Sequence, residues 1–92
     1  MKPQDRIKHL QKNLRAQDIA GALIFYSRDV FYYTGTAQPS YLVILPEDYR
    51  LFIRSGYDFA RSDVFVDKEK VAEERRLEKI FNKIRHDVGI SC

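Results

Sequence analysis

The chain has 92 residues, 45% of them hydrophobic and 32% charged, with a net charge of +3 and a pI of about 9.1. This describes one small globular domain with room for a modest core. Charges of both signs are interleaved, no apolar run approaches the roughly 20 residues needed to cross a bilayer, and the N-terminus lacks a signal-peptide core. These features predict a cytoplasmic protein with neither a nucleic-acid nor a membrane partner.

Pro3 suits the first turn of a helix, because it has no N–H to leave unpaired. Ile7, Leu10 and Leu14 follow at i, i+3 and i+7, which predicts an amphipathic helix over Met1–Ala16 and a turn at Gln17-Asp18. Ile19–Tyr26 is almost unbroken apolar sequence, as expected of a central strand covered on both faces. Gly21 marks close backbone approach within it.

The stretch Asp29–Ser40 reads as a short helix and a loop. Ser27 is the expected N-cap of a helix starting at Arg28, with Asp29 adding first-turn negative charge and Gly35 ending it in the left-handed conformation. Val30, Tyr33 and Thr34 share one face, with Phe31 and Tyr32 on the flanks. The loop Thr36, Ala37, Gln38, Pro39, Ser40 leads to the next strand, stiffened by its proline.

Tyr41–Leu45 is the second strand and Tyr49–Arg54 the third. The short turn Pro46-Glu47-Asp48 requires them to be antiparallel. Gly56–Ser62 suggests a second small helix, Asp63–Val66 a fourth strand, and Asp67–Lys70 a charged connection. Leu77, Ile80, Phe81, Ile84 and Val88 mark a long amphipathic helix over Val71–Asp87, stopped by Gly89. The fold expected is α/β: a mixed sheet of about four strands flanked by helices. Ile19–Tyr26 lies at its centre, with the hairpin on one side and Asp63–Val66 parallel on the other.

Few residues here carry chemistry. His9 and His86 sit on different helices among charged neighbours, and no His/Cys/carboxylate cluster has ligand spacing, so no metal site is expected. Cys92 cannot form an internal disulfide, and as the last residue it is expected to be exposed and unreactive. The four glycines are scattered singly and form no phosphate loop. Glu73-Glu74 before Arg75-Arg76 reads as a solvated helix start. The aromatic group Tyr26, Phe31, Tyr32 and Tyr33 reads as core in preference to a ligand wall. The polar loop 36–40 is the better binding candidate, because connecting loops are where binding residues concentrate. A basic-aromatic nucleic-acid surface of Arg54, Tyr57 and Arg61 is the weaker alternative.

The order of these elements resembles the N-terminal domain of the creatinase, prolidase and Xaa-Pro aminopeptidase family. The short helix ends Tyr32-Tyr33-Thr34-Gly35, close to the family's Tyr-Leu-Thr-Gly. After the hairpin, Leu51-Phe52-Ile53-Arg54 and Ala60-Arg61-Ser62 match its strand and short helix, and the likeness covers most of residues 4–88. The resemblance implies a C-terminally truncated domain spanning 1–92. In the family a pita-bread catalytic domain follows and holds two metal ions on Asp, His and Glu residues, none of whose positions exist here. The fragment itself is therefore expected neither to cleave peptides nor to bind catalytic metals.

The loop Thr36–Ser40 corresponds to one that reaches the active-site entrance of a dimer partner. The aromatic and arginine that some relatives carry there are missing. The resemblance thus implies a domain that packs on a catalytic domain, supports dimerisation and shapes substrate access. Its alternative is a domain of a non-catalytic relative that binds peptides or histones. As a fragment, the chain is expected to self-associate through a sheet edge or the Leu77–Val88 face, with the loop exposed and mobile.

Overall fold

The structure, a computed structural model, describes residues 2–88. A 3₁₀ turn, Pro3–Asp5, opens the chain and runs into α1, Arg6–Ala16; the predicted start at Met1 lies outside the described residues. Ile7 and Leu14 are buried and Leu10 packs beside them, so the apolar stripe faces inward as its spacing predicts. The helix ends in a Schellman motif. Asp18 takes the left-handed conformation at φ 57°, its N–H donates to the Arg15 carbonyl at 3.2 Å, and the Ile19 N–H donates to the Leu14 carbonyl at 2.9 Å.

Four strands follow: β1 (Ala22–Ile24), β2 (Ser40–Ile44), β3 (Tyr49–Ile53) and β4 (Val71–Glu73). They form one mixed sheet in the order β1-β2-β3-β4, antiparallel except for the parallel pair β3/β4. The helices are α2 (Ser27–Thr34), α3 (Tyr57–Asp63) and α4 (Leu77–Val88). The α/β class and the four-stranded mixed sheet are as the sequence predicts.

Alternation along β2 and β3 gives the sheet two apolar faces. Leu42, Ile44, Leu51 and Ile53 point to one side, where Ile7 and Leu14 of α1, Val30 of α2 and Ala60 of α3 meet them. Val43, Leu45 and Phe52 point to the other, against Ile80 and Ile84 of α4.

Three expectations need correction. The first strand is an edge, pairing only with β2, and just Ala22–Ile24 of the predicted Ile19–Tyr26 run is strand. The three strand residues are only half-buried, so an unbroken apolar run establishes neither coverage of both faces nor a neighbour on each side. Ile19 belongs to the helix cap, while Phe25 and Tyr26 are well exposed. Gly21 does mark a close approach: a Cβ there would lie 2.9 Å from Leu45 Cδ2.

The fourth strand is Val71–Glu73, not Asp63–Val66; it shares the direction of β1 as expected, but it pairs with β3 at the far edge and not with β1. Asp63 closes α3, and the Phe65 N–H donates to the Thr34 carbonyl at 2.9 Å, which takes this segment out of any ladder. Val71 was expected to begin the last helix. Instead it pairs with Leu51, and α4 begins only at Leu77. The expected stop at Gly89, the side chains of His86 and Val88, and the exposure of Cys92 lie outside the described residues.

Candidate functional site

Helix α2 aims the chain into the candidate loop. Tyr26, with extended backbone, holds the N-cap position, and its carbonyl accepts the Val30 N–H at 3.0 Å. Ser27 is already helical and makes no capping bond, which corrects its predicted role. Val30 and Thr34 are buried and Tyr33 half-buried, the inward face expected. Gly35 closes the helix at φ 90°, where a side chain would be strained and its Cβ would sit 2.8 Å from the Phe65 ring. The Tyr-Tyr-Thr-Gly motif therefore fixes the end of α2 against the segment after α3.

Buried hydroxyl groups then order the loop. The Thr34 hydroxyl donates to the Val30 carbonyl at 2.7 Å and accepts the Thr36 N–H at 3.3 Å. The Thr36 hydroxyl accepts the Gln38 N–H at 3.1 Å, and the Ser40 hydroxyl donates to the Gln38 carbonyl at 2.9 Å. The Arg54 N–H reaches across to the Pro39 carbonyl at 2.8 Å. Thr36 and Ser40 are buried, Gln38 is half-buried against Gly56, and only Ala37 and Pro39 face outward. This corrects the expectation of a wholly exposed loop. Small hydroxyl residues read as solvated polar sequence, but here they replace the backbone partners that a turn lacks.

The aromatic cluster is also placed differently from expectation. Tyr26, Phe31 and Tyr32 are 64%, 55% and 47% exposed, and Phe25 is 65% exposed. Of the four aromatics read as core, only Tyr33 packs inward. The rings of Tyr32 and Tyr33 meet edge to face, with centroids 5.0 Å apart. The Arg6 guanidinium lies 4.2 Å over the Tyr32 ring and donates to its carbonyl at 2.7 Å. Burial pushes the Tyr33 phenol above its usual pKa, helped by the neighbouring Tyr32 and Asp29.

Two polar groupings escaped the sequence reading. Beside Pro39, the side chains of Arg54, Ser55 and Arg75 line a recess of about 260 Å³. Arg75 Nε donates to the Arg54 carbonyl at 3.0 Å, and the Arg54 guanidinium lies 5.0 Å over the Tyr41 ring. No spacing rule joins residues 54 and 75; the parallel pairing of β3 with β4 does. The second grouping centres on Asp48 in the hairpin turn. Its carboxylate accepts the Tyr49 N–H at 2.8 Å and Lys70 Nζ at 2.7 Å, and contacts Arg50 Nη2 at 3.2 Å. Partial burial raises the Asp48 pKa, but the bonds from Lys70 and the Tyr49 N–H and the charge of Arg50 outweigh it, so the net shift is downward. From α1, Gln11 Nε2 donates to the Leu45 and Asp48 carbonyls, each at 3.0 Å.

Among the described residues, no three His, Cys, Asp or Glu side chains gather as a metal site requires, and no helix is long and apolar enough to cross a membrane. Tyr57 is half-buried and packs against the core.

Similarity to known proteins agrees with this architecture. The solved prolidase of Pyrococcus furiosus superposes with a TM-score of 0.73 at 18% identity, over 86% of this chain and 25% of its own. An Xaa-Pro aminopeptidase from Streptococcus pyogenes gives 0.78 at 19% identity, covering 98% of this chain and 70% of that one. The aminopeptidase P of Streptococcus thermophilus gives 0.73 at 18%, covering 94% and 68%. The chain thus spans a quarter of the prolidase it matches. No curated protein matches it. The family model described as Creatinase/Prolidase N-terminal domain matches residues 6–90, and with the fold above this establishes that the chain belongs to that family.

Proposed function

We propose that this chain is the non-catalytic N-terminal domain of a cytoplasmic, metal-dependent Xaa-Pro peptidase of the aminopeptidase P or prolidase kind. In this reading it packs on a C-terminal catalytic domain, supports dimerisation and narrows the entrance to the active site. Hydrolysis would belong to water activated by two divalent ions on that other domain. Among the described residues no ligand set for such ions is found, and no chemical step is assigned to them.

The observation that carries the reading is the loop 36–40. Its hydroxyls point inward and hold the backbone in one path, leaving Ala37 and Pro39 as an outward rim. A rim of small side chains on an ordered backbone restricts access by shape alone. That selects for short substrates without forming any bond to them.

The test is Ala37→Trp in a polypeptide that carries this domain ahead of its catalytic domain. The bulky ring should lower kcat/KM for a peptide of eight or so residues about ten-fold, roughly 1.4 kcal/mol, while a dipeptide substrate is nearly unaffected. Equal losses for both lengths, or none for either, would remove the access role. The isolated 92-residue chain should release no N-terminal residue from an Xaa-Pro peptide, with or without added manganese.

A further inference from the structure

We infer that Arg54 and Arg75 form a carboxylate-binding site in the recess beside Pro39. Strands β3 and β4 run parallel and end together at Ile53 and Glu73, and the Glu74 N–H continues the pairing to the Ile53 carbonyl at 3.0 Å. The two arginines leave the sheet just beyond those carboxyl ends. Both side chains, with Ser55 and Pro39, line the recess of about 260 Å³, enough for a carboxylate and the residue bearing it.

The two guanidiniums are positioned. Arg75 is held by its Nε bond to the Arg54 carbonyl, which leaves its terminal nitrogens available, and Arg54 is steadied over the Tyr41 ring. Among the described residues, no ion pair involves either one. The nearest acid in sequence, Glu74, instead accepts the Arg75 N–H at 2.9 Å and the Arg76 N–H at 3.3 Å. Two arginines at one recess, with no ion pair among the described residues, suit an external anion, and each planar guanidinium fork can hold a carboxylate by two parallel hydrogen bonds. Guanidinium groups also take phosphate, so the titration below separates the two anions.

The carboxylate has two natural sources, the C-terminus of a short peptide or an Asp or Glu side chain of a docked protein. The inference does not depend on peptidase activity, and it is tested on the isolated chain without any catalytic domain. The ¹⁵N-labelled protein is titrated with Ala-Ala, Ala-Ala amide, N-acetylglutamate amide and inorganic phosphate while the arginine Nε–H and Ser55 amide signals are followed.

Saturable shifts with a free carboxylate, and none with Ala-Ala amide, are expected. Response to Ala-Ala identifies a peptide terminus, and response only to N-acetylglutamate amide identifies a protein side chain. R54Q and R75Q should each weaken binding at least ten-fold with the rest of the spectrum unchanged, while R61Q should not. The site is refuted if the amide shifts the same signals equally, if phosphate alone saturates them, if no carboxylate binds by about 50 mM, or if R54Q and R75Q bind like the parent chain.

Discussion

Leu42 and Val43 are neighbours in β2, yet they face sides of the sheet that are covered very differently. On the Leu42 side three helices close over the strands, and Leu42, Ile44, Leu51 and Ile53 are fully buried. On the Val43 side α4 is the one helix in the core cluster, and a groove of about 420 Å³ remains between it and β1, bordered by Leu23, Val43, Leu45 and the half-exposed Phe81. The first side is a finished core, held by α1, α2 and α3 together. The second depends on a single helix next to an edge strand. Stability and contact are therefore divided between the faces: one can be weakened only from within, while the other has surface to offer.

Truncating each side should separate these roles. Leu51→Ala on the closed side should cost about 2–5 kcal/mol, a large share of what a domain of this size possesses, and abolish a cooperative thermal transition. Ile80→Ala falls in the same range but should release α4 alone. Amide exchange would then show α4 unprotected while β2 and β3 remain slow. Loss of protection throughout the sheet in Ile80→Ala would mean that the two sides are one cooperative unit.

The closed side also depends on the hydroxyl at the end of α2. Thr34→Val keeps the shape and removes both hydrogen bonds of that group, leaving the Thr36 N–H buried without its partner. A loss of about 1–3 kcal/mol in urea denaturation is expected. A change below a few tenths would show that the loop does not need this anchor.

At the other end of α1, the left-handed Asp18 bears a steric cost that glycine avoids. Asp18→Gly should stabilise the domain by about 0.5–1 kcal/mol, raising Tm by roughly 2–8 °C. An unchanged or lower Tm would indicate that the aspartate side chain contributes what glycine would save.

The smallest effect concerns Asp48, which ties the hairpin turn to Lys70. Its folded pKa lies below the ordinary value of 3.8, so its contribution is full above that value and fades as pH falls through the lowered one. The parent chain should lose more Tm than Asp48→Asn on going from roughly pH 6 to roughly pH 3. Parallel curves would show that the carboxylate is not linked to folding.

Much of this is legible in the sequence. The period of Ile7, Leu10 and Leu14, the left-handed Gly35, the inward face of α2 and the hairpin around Pro46–Asp48 all rest on local rules, and local rules travel with the sequence. Strand order does not. Ala22–Ile24 and Val71–Glu73 have the composition of many strands, and only tertiary packing decides that both lie on edges. The loop 36–40 connects α2 to β2 as the sequence predicts, but its hydroxyl residues are buried where polar sequence suggests exposure. Threonine and serine look alike whether they face water or satisfy a buried backbone. Arg54 and Arg75 meet solely because β4 docks beside β3.

That last pairing also has a consequence in time. Strands β2 and β3 are joined by a tight turn, closed by the Leu45 N–H on the Asp48 carbonyl at 2.8 Å, and such a hairpin zips within microseconds. Strand β4 can join only after the whole excursion through α3 and the Lys68–Lys70 turn has been gathered, a slower loop closure. During synthesis the hairpin emerges well before β4, so for an interval its outer edge along β3 is open. The charged approach to β4, Asp67-Lys68-Glu69-Lys70, emerges after α3, and it is poorly suited to pairing with a stranger. A nascent chain paused there would have its centre built and its last neighbour still to arrive.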